Sequence, residues 1–271
     1  GRAQAAQVVK EYSLEGLVVI GGNGSMAGAH VLAEEHGVGV VGIPASIDND
    51  IGLTREALGV DTALNTIVEA CDKISDTARS HHRAFVVEVM GRNSGYLAMA
   101  AAVATAADAV LLPEQGKSAD EIVEAVVHAL RMSFDGARDK TRVMILKAEG
   151  VAIATEDLVN RVRTDLGDDS DVEVRATILG HLVRGGNPSF RDRLLAGRFG
   201  LTAVNGLLEG HTDVMAGWNL EGPGIETSDS WIKLFPIESV LEETEALLDG
   251  SSPVTMDRVR RMEAIQGVLA I

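Results

Sequence analysis

Apolar, β-branched-rich runs recur at residues 17–20, 39–43, 84–90, 109–112 and 142–146, each separated from the next by a stretch with helical spacing or composition. Runs apolar on both faces predict buried parallel strands. Leu64, Ile67, Val68, Cys71 and Ile74 recur at three- and four-residue steps and predict an amphipathic helix, with Asp61 placed to cap its start. Ser118 and Glu121 have the spacing of a capping box ahead of Ile122, Val123, Val126, Val127 and Leu130, and Gly136 is placed to end that helix. Strand and helix in this alternation predict a doubly wound α/β architecture with a mostly parallel sheet covered on both faces. The sequence shows no internal repeat, low-complexity tract or long linker, so any domain division is expected where the chain crosses over, not at a flexible hinge. Ligands in such folds sit beyond the carboxyl ends of the strands, which directs attention to the turn after each run.

With 271 residues, of which 46% are hydrophobic and 29 are glycine, the chain can bury a large core as one domain or two. A formal net charge of -16 repels a nucleic-acid backbone and an anionic membrane surface, which leaves small ligands as the expected partners. No apolar run reaches the roughly 18 to 20 residues of a membrane span, and the start lacks the layout of a secretory signal. The single cysteine, Cys71, excludes an internal disulfide and a thiolate metal cluster, and a reducing, cytoplasmic setting is expected. The opening Gly-Arg-Ala, with a strand following within about twenty residues, reads as a fragment or a processed product.

The turns carry the candidate chemistry. Gly22, Asn23, Gly24 and Ser25 follow the first run and lead into a helix, where free amides and the positive end of the helix dipole suit a phosphate. Their spacing matches neither Walker A nor GxGxxG, so a plain turn capped by Asn23 or Ser25 is an equal reading. In "VGIPASIDNDIG", residues 41–52, Asp48 and Asp50 stand two apart in an otherwise nearly apolar segment. They are either ordinary turn formers or a pair whose repulsion a cation, a donor or a proton offsets; one is then a base and the other helps to hold magnesium. Arg92 leaves the end of a strand in "VVEVMGRNSG", Glu149 does so in "LKAEG", and "VRATILGHLVRGG" groups Arg175, His181 and Arg184 around another strand. With Arg83 these arginines reverse the local charge of an acidic chain and suggest a phosphorylated substrate, surface salt bridges being the alternative. His81 and His82 face opposite ways if strand-like and do not read as a metal pair.

"GGNGS", "GIPASIDNDI", "SHHRAFVVEVMGRNSG" and "RATILGHLVRGGNPSFRDR", in this order and spacing, resemble the phosphofructokinase family across nearly all of the chain. The resemblance implies two doubly wound lobes with mostly parallel sheets and magnesium-assisted phosphoryl transfer from ATP to the 1-hydroxyl of fructose 6-phosphate. Asp48 then matches the base, Ser46 a hydroxyl contacting the transferring group, Asp50 an acidic position associated with the metal, and Arg92 a cation for the moving phosphoryl charge. Met90, Gly91 and Glu149 match positions lining the sugar, and His181 and Arg184 match ligands of its 6-phosphate. Arg83 and Arg175 match arginines that reach that phosphate from a neighbouring subunit, which implies a homotetramer built from dimers. The family's architecture implies a nucleotide-side domain of residues 1–59 and 183–235 and a sugar-side domain of residues 60–182 and 236–271, with a cleft between them.

Departures from the family pattern narrow this picture. Asn23 stands where an aspartate commonly helps to bind magnesium, keeping an oxygen and losing the charge. Gly24 and Ala45 replace the aspartate and lysine typical of pyrophosphate-dependent relatives, which favours ATP. The family's opening strand and its glycine-rich loop over the nucleotide are not matched, so either the sequence is a fragment with an exposed sheet edge or the donor site is incomplete. Asp108, Arg138 and Lys140 lie near positions used for a regulatory nucleotide, but Ser75 replaces an expected arginine and no effector is assigned. The alternatives are a pyrophosphate-dependent enzyme and a weakly active regulatory subunit that binds sugar phosphate.

Overall fold

The computed structural model describes residues 1–78, 83–134, 142–167, 170–219, 223–257 and 260. His81, His82, Gly136, Arg138 and Lys140 lie outside the described residues. In chain order the elements are α1 (Arg2–Glu11), β1 (Leu17–Gly21), α2 (Asn23–His36), β2 (Val40–Pro44), α3 (Val60–Ala78), β3 (Arg83–Val89), α4 (Tyr96–Ala104), β4 (Ala109–Leu111), α5 (Ala119–Phe134), β5 (Arg142–Ala148), α6 (Thr155–Leu166), β6 (Glu173–Ile178), α7 (Phe190–Leu208), β7 (Val214–Trp218), β8 (Ile225–Glu226), β9 (Ile232–Pro236) and α8 (Ile237–Asp249). Each of the five apolar runs becomes a strand.

The chain divides into two compact units, Gly1–Asp61 with Pro188–Ser252, and Thr62–Asn187 with Pro253–Ile271. α8 packs on α2 and β9 and lies in the first unit, whereas the boundary expected from the family's architecture falls after residue 235.

In the first unit the sheet order is β1-β2-β7-β9-β8, with β1, β2 and β7 parallel and β9 and β8 antiparallel to their neighbours. Val41, Ile43, Val214, Ala216, Ile232 and Leu234 form one apolar face, against which Leu195, Phe199 and Ala203 of α7 pack. On the other face Gly42 makes room for α2, since a Cβ there would lie 2.5 Å from the sulfur of Met26. Val18 and Ile20 pair in register with Val41 and Ile43 and therefore share the α7 face. They are nonetheless 36% and 63% exposed. The reading of this first run as buried on both faces is corrected: β1 is the sheet's edge, and α7 packs over β2, β7 and β9.

The sheet of the second unit, β4-β5-β3-β6, is parallel throughout. α4 packs on β3, β4 and β5, while α6 packs on β3 and β6 and against α5. The capping box forms as the sequence predicts: the Ser118 amide donates to Glu121 at 2.8 Å and the Glu121 amide donates back to the Ser118 hydroxyl at 3.3 Å. Asp61 does not cap α3. That helix starts at Val60, and Asp61 sits in its first turn, where a carboxylate suits the dipole.

Candidate active site

In the first unit the glycine turn and the acidic turn meet. Gly22 caps α2 in an extended conformation, and its carbonyl accepts from the Ser25 and Met26 amides at 2.9 and 3.0 Å, while the amides of Asn23 and Gly24 precede the reach of any intrahelical carbonyl. Neither Asn23 nor Ser25 caps that helix; Asn23 is its first residue, and its side-chain amide donates to Asp50 at 2.9 Å. A Cβ on Gly22 would lie 3.7 Å from the Cβ of Ser46, so the two turns are in contact, whereas one on Gly24 would meet nothing within 4 Å. The Ala45 amide donates to the Gly21 carbonyl at 2.9 Å, which holds the same approach through the backbone.

Asp48 and Asp50 are buried, at 4% and 7% exposure. Asn49 stands between them with φ 50, a left-handed conformation that asparagine tolerates. Its side chain spans the turn, donating to the Arg55 carbonyl at 3.2 Å and accepting from the Ala57 amide at 3.0 Å. The Asp48 amide donates to the Ser46 hydroxyl at 3.3 Å, and the Gly52 amide donates to Thr244 on α8 at 2.8 Å. Further along, burial pushes the Glu56 carboxyl above the ordinary carboxylate range, against the opposing pull of Arg191.

The donor chemistry here suits a hard cation held by few protein ligands. The Oδ1 atom of Asn23 is buried without a hydrogen-bond partner, next to the Asp50 carboxylate. Among the described residues no group of three or more His, Cys, Asp or Glu is placed to hold a metal. An ion at Asn23 and Asp50 would thus complete its shell with ligand oxygens and water, the usual habit of magnesium.

In the second unit the strand ends at the carboxyl edge carry the rest. After β3 come Met90, Gly91 at φ 152 and Arg92 at φ 51. Glu149, following β5, fixes this turn by accepting from the Gly91 amide at 3.1 Å and from the Arg92 amide with the same oxygen. Only glycine fits at position 91, because a Cβ would lie 2.5 Å from the Ser94 carbonyl oxygen. His181 and Arg184 both sit on the 3-10 turn Gly180–Arg184 that follows β6, three residues apart and so on one side of it. This segment is held beside β3 by the Leu179 amide, which donates to the Glu88 carbonyl at 3.1 Å.

Arg83 and Arg175 stand apart from this cluster. Arg83 opens β3 and Arg175 is the third residue of β6, in register with Phe85, so both lie toward the amino ends of their strands. Both donate to Glu173, whose carboxyl is held below its usual range by Arg175 first and Arg83 second. The seven residues of β3 span roughly 20 Å, which separates Arg83 from Met90 and Arg92.

Sequence reasoning passed over Lys147 and Glu88, paired at 3.2 Å. The signal was present as a charged residue inside an apolar strand, but its partner is remote in sequence. Asp108 bonds Met144 of β5 through both its amide and its carboxylate, and Ser75 is buried.

Comparison with known proteins places the chain. Residues 1–207 match the phosphofructokinase family model. An ATP-dependent 6-phosphofructokinase of Thermotoga petrophila is 48% identical over 215 residues, covering 79% of this chain and 64% of the relative. The like-named protein of Brevibacillus brevis is 43% identical over 217 residues, covering 80% and 64%. The chain thus spans about 64% of the length of these relatives. Among solved structures, the phosphofructokinase of Saccharomyces cerevisiae superposes with a TM-score of 0.81 at 29% identity, over 95% of this chain and 36% of that one. A pyrophosphate-dependent phosphofructokinase of Marinobacter aquaeolei, at a TM-score of 0.69 and 21% identity over 88% of this chain and 63% of that one, shares the fold. With the family model matched across most of its length, and with one mixed and one all-parallel α/β unit bearing the family's motifs, this chain belongs to the phosphofructokinase family.

Proposed function

We propose that this chain serves phosphoryl transfer from ATP to the 1-hydroxyl of fructose 6-phosphate, giving fructose 1,6-bisphosphate in glycolysis. The observation that carries this reading is the contact between the phosphate-type helix start and the acidic turn, joined by Asn23 and Asp50. An accessible donor-phosphate cradle and a buried candidate base thereby lie side by side.

Asp48 takes the proton of the 1-hydroxyl as its oxygen forms a bond to the γ-phosphorus; the bond from that phosphorus to the β,γ-bridging oxygen breaks, and ADP leaves. The Ser46 hydroxyl and the cation of Arg92 stabilise charge on the moving group, whose loose transition state depends on alignment and electrostatics. The amides around Gly22, Gly24 and Ser25 hold the donor phosphates. Asn23 and Asp50 would hold Mg2+, which when bound neutralises charge on those phosphates. Met90, Gly91 and Glu149 line the sugar, and His181 and Arg184 bind its 6-phosphate.

Two features support finer points. The open space over Gly24 leaves room for the α-phosphate of a nucleotide, and the relatives at 43–48% identity carry names specifying ATP. The place of Arg83 and Arg175 toward the amino ends of their strands suits arginines that serve the sugar phosphate of a second copy, in a homotetramer built from such dimers. No helix among the described residues is long and apolar enough to cross a membrane, and this reading assigns the enzyme to the cytoplasm.

Asp48→Asn tests the base. Turnover is expected to fall about a thousandfold while fructose 6-phosphate affinity stays within about twofold; unchanged turnover removes Asp48 from that role. In the same assay ATP should act as donor and pyrophosphate should not.

A further inference from the structure

The proposed reaction leaves a charged cluster on the second unit's sheet unused. Lys147 is 1% exposed, a lysine among the large, fully buried side chains of the described residues. Its ammonium donates to Glu88 at 3.2 Å and to the Ala148 carbonyl at 3.4 Å, and the Thr155 hydroxyl donates to the same Glu88 oxygen. Glu88 and Lys147 are register partners on β3 and β5, while Thr155 is the first residue of α6. The three side chains therefore tie two strand ends to the helix start that follows β5.

What lies between these anchors gives the tie its meaning. The connection from β5 to α6 begins with Glu149, and a cleft of about 530 Å3 opens beside it, lined by Glu88, Lys147, Glu149, Thr155, Glu156 and Ile178. One Glu149 oxygen is committed to the Gly91 and Arg92 amides. Where its other oxygen points depends on how firmly the connection is held. Removing an ammonium and a carboxylate from water is costly, and an apolar pair of the same volume often stabilises a core as well or better. The advantage of a hydrogen-bonded ion pair is direction: it fixes one geometry where apolar side chains admit several.

We infer that Lys147, Glu88 and Thr155 are positioning residues that fix the β5–α6 connection, and with it Glu149, for contact with a hydroxyl of the sugar phosphate. This rests on the function proposed above. Lys147 touches no reacting atom; it acts through Glu88 and the start of α6.

The test uses the native protein, Lys147→Met, and the charge-neutral double variant Lys147→Met/Glu88→Gln, which leaves no buried ion unpaired if the single variant fails to fold. Two quantities are read: amide hydrogen exchange across residues 150–155, and KM and kcat for fructose 6-phosphate and for ATP. Exchange is expected to speed up about tenfold in that segment alone, reporting local opening. The fructose 6-phosphate KM is expected to rise about five- to tenfold, with kcat and the ATP KM within about twofold. Unchanged exchange overturns the tie whatever the enzyme's substrate. Faster exchange with an unchanged sugar KM overturns the positioning role. If the native protein neither binds nor phosphorylates fructose 6-phosphate, the functional reading falls first and the inference with it.

Discussion

The two units carry their candidate residues in opposite ways. In the first, the acidic turn is inside the protein, with Asp48, Asn49 and Asp50 at 4%, 2% and 7% exposure, and side-chain hydrogen bonds from Asn23, Asn49 and Thr244 hold it there. In the second, Arg92, His181 and Arg184 are exposed, and the backbone beneath them is what is fixed, through Glu149 on the Gly91 and Arg92 amides. A base works best when oriented and shielded before the substrate arrives. Exposed side chains over a fixed backbone suit capture of a diffusing phosphate, where positive charge adds to the association rate.

Different losses are expected when each half is altered. The largest, after Asp48→Asn, comes from Gly52→Ala. The new Cβ would lie 2.6 Å from the Val240 carbonyl oxygen and 2.9 Å from the Thr244 amide nitrogen, both backbone atoms of α8. Urea unfolding should show a loss of about 3 kcal/mol. Arg184→Ala should reverse the pattern, raising the fructose 6-phosphate KM about thirtyfold, near 2 kcal/mol, with unfolding free energy within about 0.5 kcal/mol. A large stability loss there would erase the distinction between the halves. Thr244→Val should remove about 1.5 kcal/mol of stability by leaving the Gly52 amide buried without its acceptor, and should leave the sugar KM alone.

The smallest effect is expected at His30, on α2. Its ring bonds the Asp213 carboxylate at 2.9 Å and faces Glu34 at 3.6 Å, and the hydrogen bond to Asp213 holds its pKa above the ordinary 6.5 despite burial, with Glu34 and Glu238 adding to it. A folded-state pKa above the unfolded one gives stability that is full below 6.5 and fades as pH rises through the raised value. His30→Gln should therefore lower the melting temperature most near about pH 5.5 and hardly at all near about pH 8.5. An equal loss at both would assign the residue to packing alone.

Much of this was legible in the sequence, for reasons visible at particular residues. The runs that became β2, β3 and β5 are predominantly apolar, with charge in β3 and β5 confined to Arg83, Glu88, Arg142 and Lys147, as suits parallel strands covered on both faces. The run that became β1 looks similar, yet Val18 and Ile20 face water, because its place at the edge is set by strand order and not by local pattern. A cap at Asn23 or Ser25 was one of two readings that the neighbours along the chain allowed, but the side-chain partner of Asn23, Asp50, lies on another turn. Lys147 escaped for the same reason: its role appears only once β3 and β5 pair. Motif order identified the family, while the assignment of α8 required the packing of α2 against it.

Asn49 illustrates how little freedom such a turn retains. Glycine would adopt its backbone conformation but abandon both side-chain bonds; aspartate would accept from Ala57 but offer nothing to Arg55, and would set three acids in a row. Either replacement gives up part of the bonding that spans the turn. A residue with no part in the proposed chemistry thus helps to hold in place the two acids it separates.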